Sequence, residues 1–396
     1  MLNRRAFVQS LGIGTVGTLS LLETPAAAAA VRLQNAARRA PMPADAIRIG
    51  SNENPNGPTA SAISAAKEAA LEGHRYAGAV SSKLVESLSA AHGVPADRIM
   101  LSGGSGDLLR AAVRAFTAQE RSLVTGSPSY EQPVRIAQQA KVPVHEVPLT
   151  GDLKLDLDAM LAKAGGSGLV YICNPNNPTS TIVPSAGVKR LIVEVAKTSP
   201  STIVLVDEAY FEYAEDPAYT TLIPLVAEFP SLVIARTFSK IHGMAGMRVG
   251  YAIGQEKALA AMREHHSASG LSVMSLAAAS ASLSDTAALQ RNQLLNRQTR
   301  ALTVAAFEKA GYKAAASQAN FVMVDVRRDV RPFIEAVREK GVYIGRPFPP
   351  LTNWARITVG TQAEMDRALP IVLDVLKAPA SSASAQPLPE IYASWC

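Results

Sequence analysis

Cysteine is nearly absent: the 396 residues hold two, Cys173 and Cys396. Two are too few for a disulfide framework in a chain of this length, and no CxxC pair occurs to suggest a zinc site. The six histidines are scattered, and the adjacent His265 and His266 would point to different sides of a helix, as surface residues. No metal is expected. Basic runs are missing as well. The formal net charge is +6, but it is dispersed and no aromatic–basic stripe accompanies it, which argues against nucleic acid as a partner and leaves anionic small molecules open. Beyond residue 30 no apolar stretch is long enough to cross a bilayer, so no membrane association is expected once that first segment is removed.

What the chain does have is apolar content. Hydrophobic residues make up 48% and charged ones 18%, enough to bury a large core, and the length suggests two or three domains or one large domain with an appended small one. The first thirty residues read as an address. Asn3-Arg4-Arg5-Ala6-Phe7 precedes a short apolar stretch, Leu11 to Leu22, then Pro25 and a run of alanines to Ala30. The paired arginines resemble a twin-arginine export signal, which implies an exported, periplasmic protein.

Residues 31–59 read as an N-terminal arm, with Pro41 and Pro43 breaking any helix. Residues 60–285 alternate helical segments with short apolar runs such as Gly168–Cys173, Thr202–Val206 and Leu232–Ala235, as a parallel sheet covered on both faces requires. Residues 286–377 begin with a long helical pattern and continue strand, helix, strand, as a smaller α+β domain would. Residues 378–396, rich in Ala, Ser and Pro, form a tail expected to lack a fixed structure. The fold class is therefore α/β.

Four short segments carry chemical potential, and each follows an apolar run. Val206-Asp207-Glu208-Ala209-Tyr210 ends a strand in acids, at the sheet edge where open α/β folds bind ligands. Arg236-Thr237-Phe238-Ser239-Lys240, with Gly243, Gly246 and Arg248, combines hydroxyls, cations and a candidate nucleophilic amine. Asn174-Pro175-Asn176-Asn177-Pro178-Thr179 is a rigid turn that presents amides. Ser102-Gly103-Gly104-Ser105-Gly106-Asp107 lies between a strand and a helix, where backbone N–H groups can meet a phosphate. It is neither a nucleophile elbow, because Asp107 stands where a glycine is needed, nor a dinucleotide fingerprint, because Leu109 stands where Gly or Ala is needed.

In order and spacing, these segments resemble the histidinol-phosphate aminotransferase branch of the class I/II aminotransferases. Asn52-Glu53-Asn54-Pro55, Arg75-Tyr76, Pro128-Ser129-Tyr130, Ser317-Gln318-Ala319-Asn320-Phe321 and Arg356-Ile357-Thr358-Val359-Gly360 extend the likeness from about residue 47 to 375. The resemblance implies a fold-type I enzyme with pyridoxal 5'-phosphate as cofactor, a large domain with a mostly parallel sheet and a smaller α+β domain. It implies that Lys240 forms the Schiff base, that Asp207 pairs with the pyridine nitrogen, that Tyr210 and Asn177 bond the ring hydroxyl, and that Tyr130 stacks on the ring. Ser105, Gly106, Thr237, Ser239 and Arg248 would hold the phosphate. Tyr76 would reach the site of the other subunit in a homodimer with shared active sites. Arg356, Arg346 and Asn54 would meet the substrate.

The chain departs from the family pattern at three places. Ser180 stands for a usual glycine, Gly106 for a usual aspartate, and Arg346 comes one residue later than the family's arginine after Gly341-Val342. The implied reaction is transfer of an amino group from an amino acid, or an amine like histidinol phosphate, to a 2-oxo acid. The same lysine and aspartate also serve decarboxylases, lyases and oxidative deaminases, and the alternative is one of these. A non-catalytic binding protein is disfavoured by the joint presence of Lys240, Asp207, Tyr210, Asn177 and Arg248.

Overall fold

Short apolar runs separated by helices fold into eleven strands among the described residues. A computed structural model describes residues 42–266 and 270–378; the expected signal and most of the expected tail lie outside the described residues. In chain order the strands are β1 Ile47–Ile49, β2 Ile99–Ser102, β3 Leu123–Ser127, β4 Val144–Pro148, β5 Leu169–Cys173, β6 Ile203–Asp207, β7 Leu232–Thr237, β8 Gly250–Gly254, β9 Phe321–Asp325, β10 Val342–Ile344 and β11 Trp354–Thr358.

Seven of them make one sheet in the order β2-β8-β7-β6-β5-β3-β4. Neighbours from β7 through to β4 are parallel, and β8 runs antiparallel to both β2 and β7. The apolar runs are continuous because both faces are covered. β5 sends Val170 and Ile172 into one core cluster and Leu169, Tyr171 and Cys173 into another. β6 divides in the same way, with Val204 and Val206 on one side and Ile203 and Leu205 on the other. Helix Ser185–Thr198 closes the first cluster with Val188, Leu191, Ile192 and Val195. Helix Ser105–Phe116 closes the second with Leu108, Leu109, Ala112, Val113 and Phe116.

The C-terminal part opens with helix Thr286–Lys309, capped by the Asp285 carboxylate on the Ala288 N–H. β9 and β11 pair antiparallel, flanked by helices Val330–Glu339 and Gln362–Lys377. One pairing departs from the sequence reading. Ile47–Ile49, inside the segment read as an arm, forms β1 and pairs parallel with β10, with Ile47 and Ile49 buried. Three residues beside two prolines give too little periodicity to announce a strand. β4 and β8 were equally hidden: the first has two adjacent exposed polar residues, His145 and Glu146, and buries only Val147, and the second is bounded by glycines. No described helix is long and apolar enough to cross a membrane, and no group of His, Cys, Asp and Glu among the described residues is arranged to hold a metal.

Candidate active site

Strand register gathers the four chemical segments. Cys173 stands opposite Asp207, and Asp207 opposite Ala235, so the turns that follow β5, β6 and β7 leave the same sheet edge. Gly250 pairs with both Ser102 and Thr237. The end of β2, the end of β7 and the start of β8 therefore form one row, and the loops carrying Ser105, Lys240 and Arg248 meet there.

At that row, Gly104 is the N-cap of helix Ser105–Phe116, with φ +95°. Only glycine takes this conformation without strain, and a Cβ here would also collide with the Arg248 guanidinium. Arg248 Nη1 donates to Ser239 Oγ at 3.4 Å, and the Ser239 N–H donates to Thr237 Oγ1 at 3.0 Å. A helix N-terminus, a guanidinium and two hydroxyls thus share one cradle, the donor set that a phosphate dianion needs. Gly106 leaves room for another group. A Cβ at Gly106 would stand 2.7 Å from Gln132 Oε1, and Gln132 donates to the Gly106 carbonyl at 3.1 Å while accepting from the Tyr130 hydroxyl at 3.1 Å.

Deeper in, Asp207 is buried and accepts from the Tyr171 hydroxyl at 2.9 Å and from the Ala209 N–H at 3.1 Å. Burial raises its pKa to about 6, opposed by those two hydrogen bonds and by the charge of Lys240. Burial and the neighbouring Asp207 push the Tyr171 hydroxyl well above its ordinary range, so it stays a donor. Lys240 is half-buried. Its Nζ donates to the Asn52 carbonyl at 3.2 Å and lies 5.3 Å from the centre of the Tyr210 ring. Tyr210 packs edge-on against Phe321 at 5.0 Å, and its hydroxyl accepts from Asn52 Nδ2 at 3.1 Å.

Asn177 meets Arg356 from β11: Nη1 donates to Asn177 Oδ1 at 2.7 Å and Nη2 to the Gly50 carbonyl at 2.7 Å. Asn54 turns toward the lysine loop, donating to the Ile241 carbonyl at 2.8 Å, and lines a cavity of about 310 Å³ with Arg48, Glu53 and Thr358. Arg346 lies farther out, paired with Glu131 and stacked 4.3 Å from the Phe348 ring centre. Tyr76 is fully exposed, away from these contacts. Ser180 takes the left-handed conformation, φ +61°, that a glycine would adopt without strain, and its hydroxyl donates to the Thr179 carbonyl.

Sequence reasoning missed several supporting residues. Asn52 bridges Tyr210, Lys240 and Thr358, and Asn320 Nδ2 donates to the Asn52 carbonyl at 3.1 Å. Both lie in segments quoted for the family likeness, but nothing local marks their partners. Arg236 grips Glu208 through Nε at 3.0 Å and Nη2 at 2.7 Å, entirely inside the protein.

A mostly parallel sheet with an anion cradle, a lysine and a buried acid at one edge defines a fold-type I enzyme of the pyridoxal-phosphate-dependent class. The sequence pattern of the family "Aminotransferase class I and II" matches residues 44–372. The chain belongs to that family and is a pyridoxal 5'-phosphate-dependent aminotransferase. It is 36% identical over 329 residues to a histidinol-phosphate aminotransferase of Symbiobacterium thermophilum, covering 82% of this chain and 88% of that one. A histidinol-phosphate aminotransferase 1 of Cupriavidus pinatubonensis is 36% identical over 325 residues, covering 80% and 85%. The crystal structure of histidinol-phosphate aminotransferase from Sinorhizobium meliloti in complex with pyridoxal-5'-phosphate superposes with a TM-score of 0.78 at 26% identity, covering 93% of this chain and 96% of that one.

Proposed function

We propose that this aminotransferase moves the amino group of an amino acid to a 2-oxo acid, with Lys240 as the residue that attaches the cofactor. The observation that carries this is the convergence, at one sheet edge, of the Gly104–Arg248 cradle, the buried Asp207 and the Lys240 amine. Ser105, Gly106, Thr237, Ser239 and Arg248 would hold the cofactor's phosphate, Asp207 would pair with its ring nitrogen, Tyr210 and Asn177 with its ring hydroxyl, and Tyr130 would stack on its ring. Bound there, the cofactor supplies an electron sink for the bonds of the substrate α-carbon.

The remaining work falls to the protein. Lys240 Nζ, held beside Tyr210, would take the proton from the donor's α-carbon. Arg356 is fixed through Asn177 and Gly50, ready to orient a carboxylate with its fork of donors. The buried carboxylate of Asp207 keeps its charge when a cation lies opposite it, and Tyr171 and Ala209 fix its orientation.

The loaded protein should absorb in the visible, and Lys240→Ala or borohydride should abolish the band. Single amino acids should convert that band in a half-reaction that a 2-oxo acid reverses. Release of ammonia or carbon dioxide without an acceptor would instead mean elimination, deamination or decarboxylation. We also propose a homodimer in which the exposed Tyr76 completes the partner's site; sedimentation of a monomer with full activity would refute it. The paired arginines near the N-terminus support export to the periplasm, which fractionation of cells with and without a twin-arginine pathway tests.

A further inference from the structure

Beside Tyr130 lies a second cavity of about 250 Å³, walled by Tyr130, Val134 and Phe348 and by three charged side chains, Glu131, Glu146 and Arg346. It adjoins the site. Tyr130 belongs to both, and the Phe348 ring carries the guanidinium of Arg346 at 4.3 Å and that of Arg356 at 4.6 Å. Arg346 is not open to a ligand's anion. Its Nη2 is paired with the Glu131 carboxylate, and its Nη1 donates to the Pro347 carbonyl at 2.8 Å. Glu131 stands at the N-cap of helix Gln132–Gln139, yet its side chain makes no capping bond there and is turned to the arginine. Glu146 accepts from Ser127 Oγ at 2.9 Å and has no cation in that contact. Two carboxylates and one guanidinium therefore line this space beside the Tyr130 and Phe348 rings, and one of the carboxylates is paired with the guanidinium.

We propose that this cavity receives the substrate's side chain, and that Glu131 sets its charge preference by neutralising Arg346. The favoured donor is an amino acid whose side chain ends in a cation; one ending in an anion is disfavoured. This rests on the aminotransferase reading above. An anionic end group would have to displace Glu131 from Arg346 and then face both carboxylates, whereas an ammonium group meets an excess of negative charge and an aromatic ring.

Three donors of matched length test it: L-lysine, L-norleucine and L-2-aminoadipate, ending in ammonium, methyl and carboxylate. The half-reaction of the cofactor-loaded enzyme gives kcat/KM for each. L-Lysine should exceed L-2-aminoadipate by about tenfold or more, corresponding to about 1.4 kcal/mol. Glu131→Gln frees Arg346 and should lower that ratio about tenfold, mainly through KM. Arg346→Met leaves the carboxylates unopposed and should raise it. Opposite signs in two variants of one ion pair cannot come from general loss of structure, which would slow all three donors together. A wild-type preference for L-2-aminoadipate, or one unchanged ratio in all three proteins, overturns the subsite while leaving the aminotransferase reading intact. If none of the three converts the visible band while another amino donor does, the subsite falls and the aminotransferase reading stands; if no amino donor converts it, that reading falls too.

Discussion

Replacing Asp207 by asparagine separates what that carboxylate costs the fold from what it does for the cofactor. In the cofactor-free protein, burial dominates its surroundings and sets its pKa at about 6, against an ordinary 3.8. A carboxyl raised in this way favours the folded state when protonated. Its contribution is complete below about pH 4 and is lost as the pH rises through about 6. A gap of about two units, at about 1.4 kcal/mol each, amounts to about 3 kcal/mol of lost stability by pH 8 and about half of that at pH 5. Asparagine carries no charge. Whatever constant offset follows from its altered bond to Tyr171, Asp207→Asn should gain on the wild type by about 1.5 kcal/mol between pH 5 and pH 8. Urea unfolding of the two cofactor-free proteins across that range measures the difference. A difference that stays flat would show that Tyr171, Ala209 and Lys240 compensate the burial in full, and the reasoning would fail. With cofactor loaded, the order should invert, because only the carboxylate can pair with a cationic ring nitrogen.

Arg236→Met strands Glu208 and Glu212 in the interior and should cost about 3–5 kcal/mol in chemical unfolding; less than about 1 kcal/mol would mean that the pair is solvated in solution. Adding Glu208→Gln to that variant should recover part of the loss. Gly104→Ala places a Cβ at φ +95° and against Arg248, so cofactor affinity, followed by the visible band, should fall about tenfold or more, while an unchanged affinity would remove this cradle from the phosphate site.

The convergence of the segments proposed to hold the cofactor was legible because its parts are local. Each of the four segments directly follows an apolar run, and parallel strands put the residues after their carboxyl ends on one edge. Once β5, β6 and β7 were read as strands, Asn177, Asp207 and Lys240 had to be neighbours. β8 completes the row by returning antiparallel, which is how Arg248 reaches Gly104. The substrate half was harder to read. Arg356 comes from β11, and Arg346 from a turn between Ile344 and Phe348 whose direction no periodicity encodes. The Arg346–Glu131 pair joins positions 215 apart in sequence, and the bond from Asn320 to Asn52 spans 268. A single chain offers no sign of such pairings.

Asn52 shows why the lysine cannot be understood from its own loop. Its carbonyl accepts from Lys240 and from Asn320, its amide donates to Tyr210, and its side-chain oxygen and backbone N–H both engage Thr358. One residue with φ +55° therefore ties the lysine to β11 and to the residue preceding β9. β11 also carries Arg356, which binds Asn177 after β5. The amine proposed to act on the substrate and the guanidinium proposed to orient it are thus referred to the same strand by two independent sets of hydrogen bonds. Catalysis by proton transfer depends on distance far more steeply than binding does, and a frame shared by both groups fixes the distance between them. The pairing of β1 with β10 serves the same end, because it anchors the segment leading into Gly50 and Asn52 before either reaches the site.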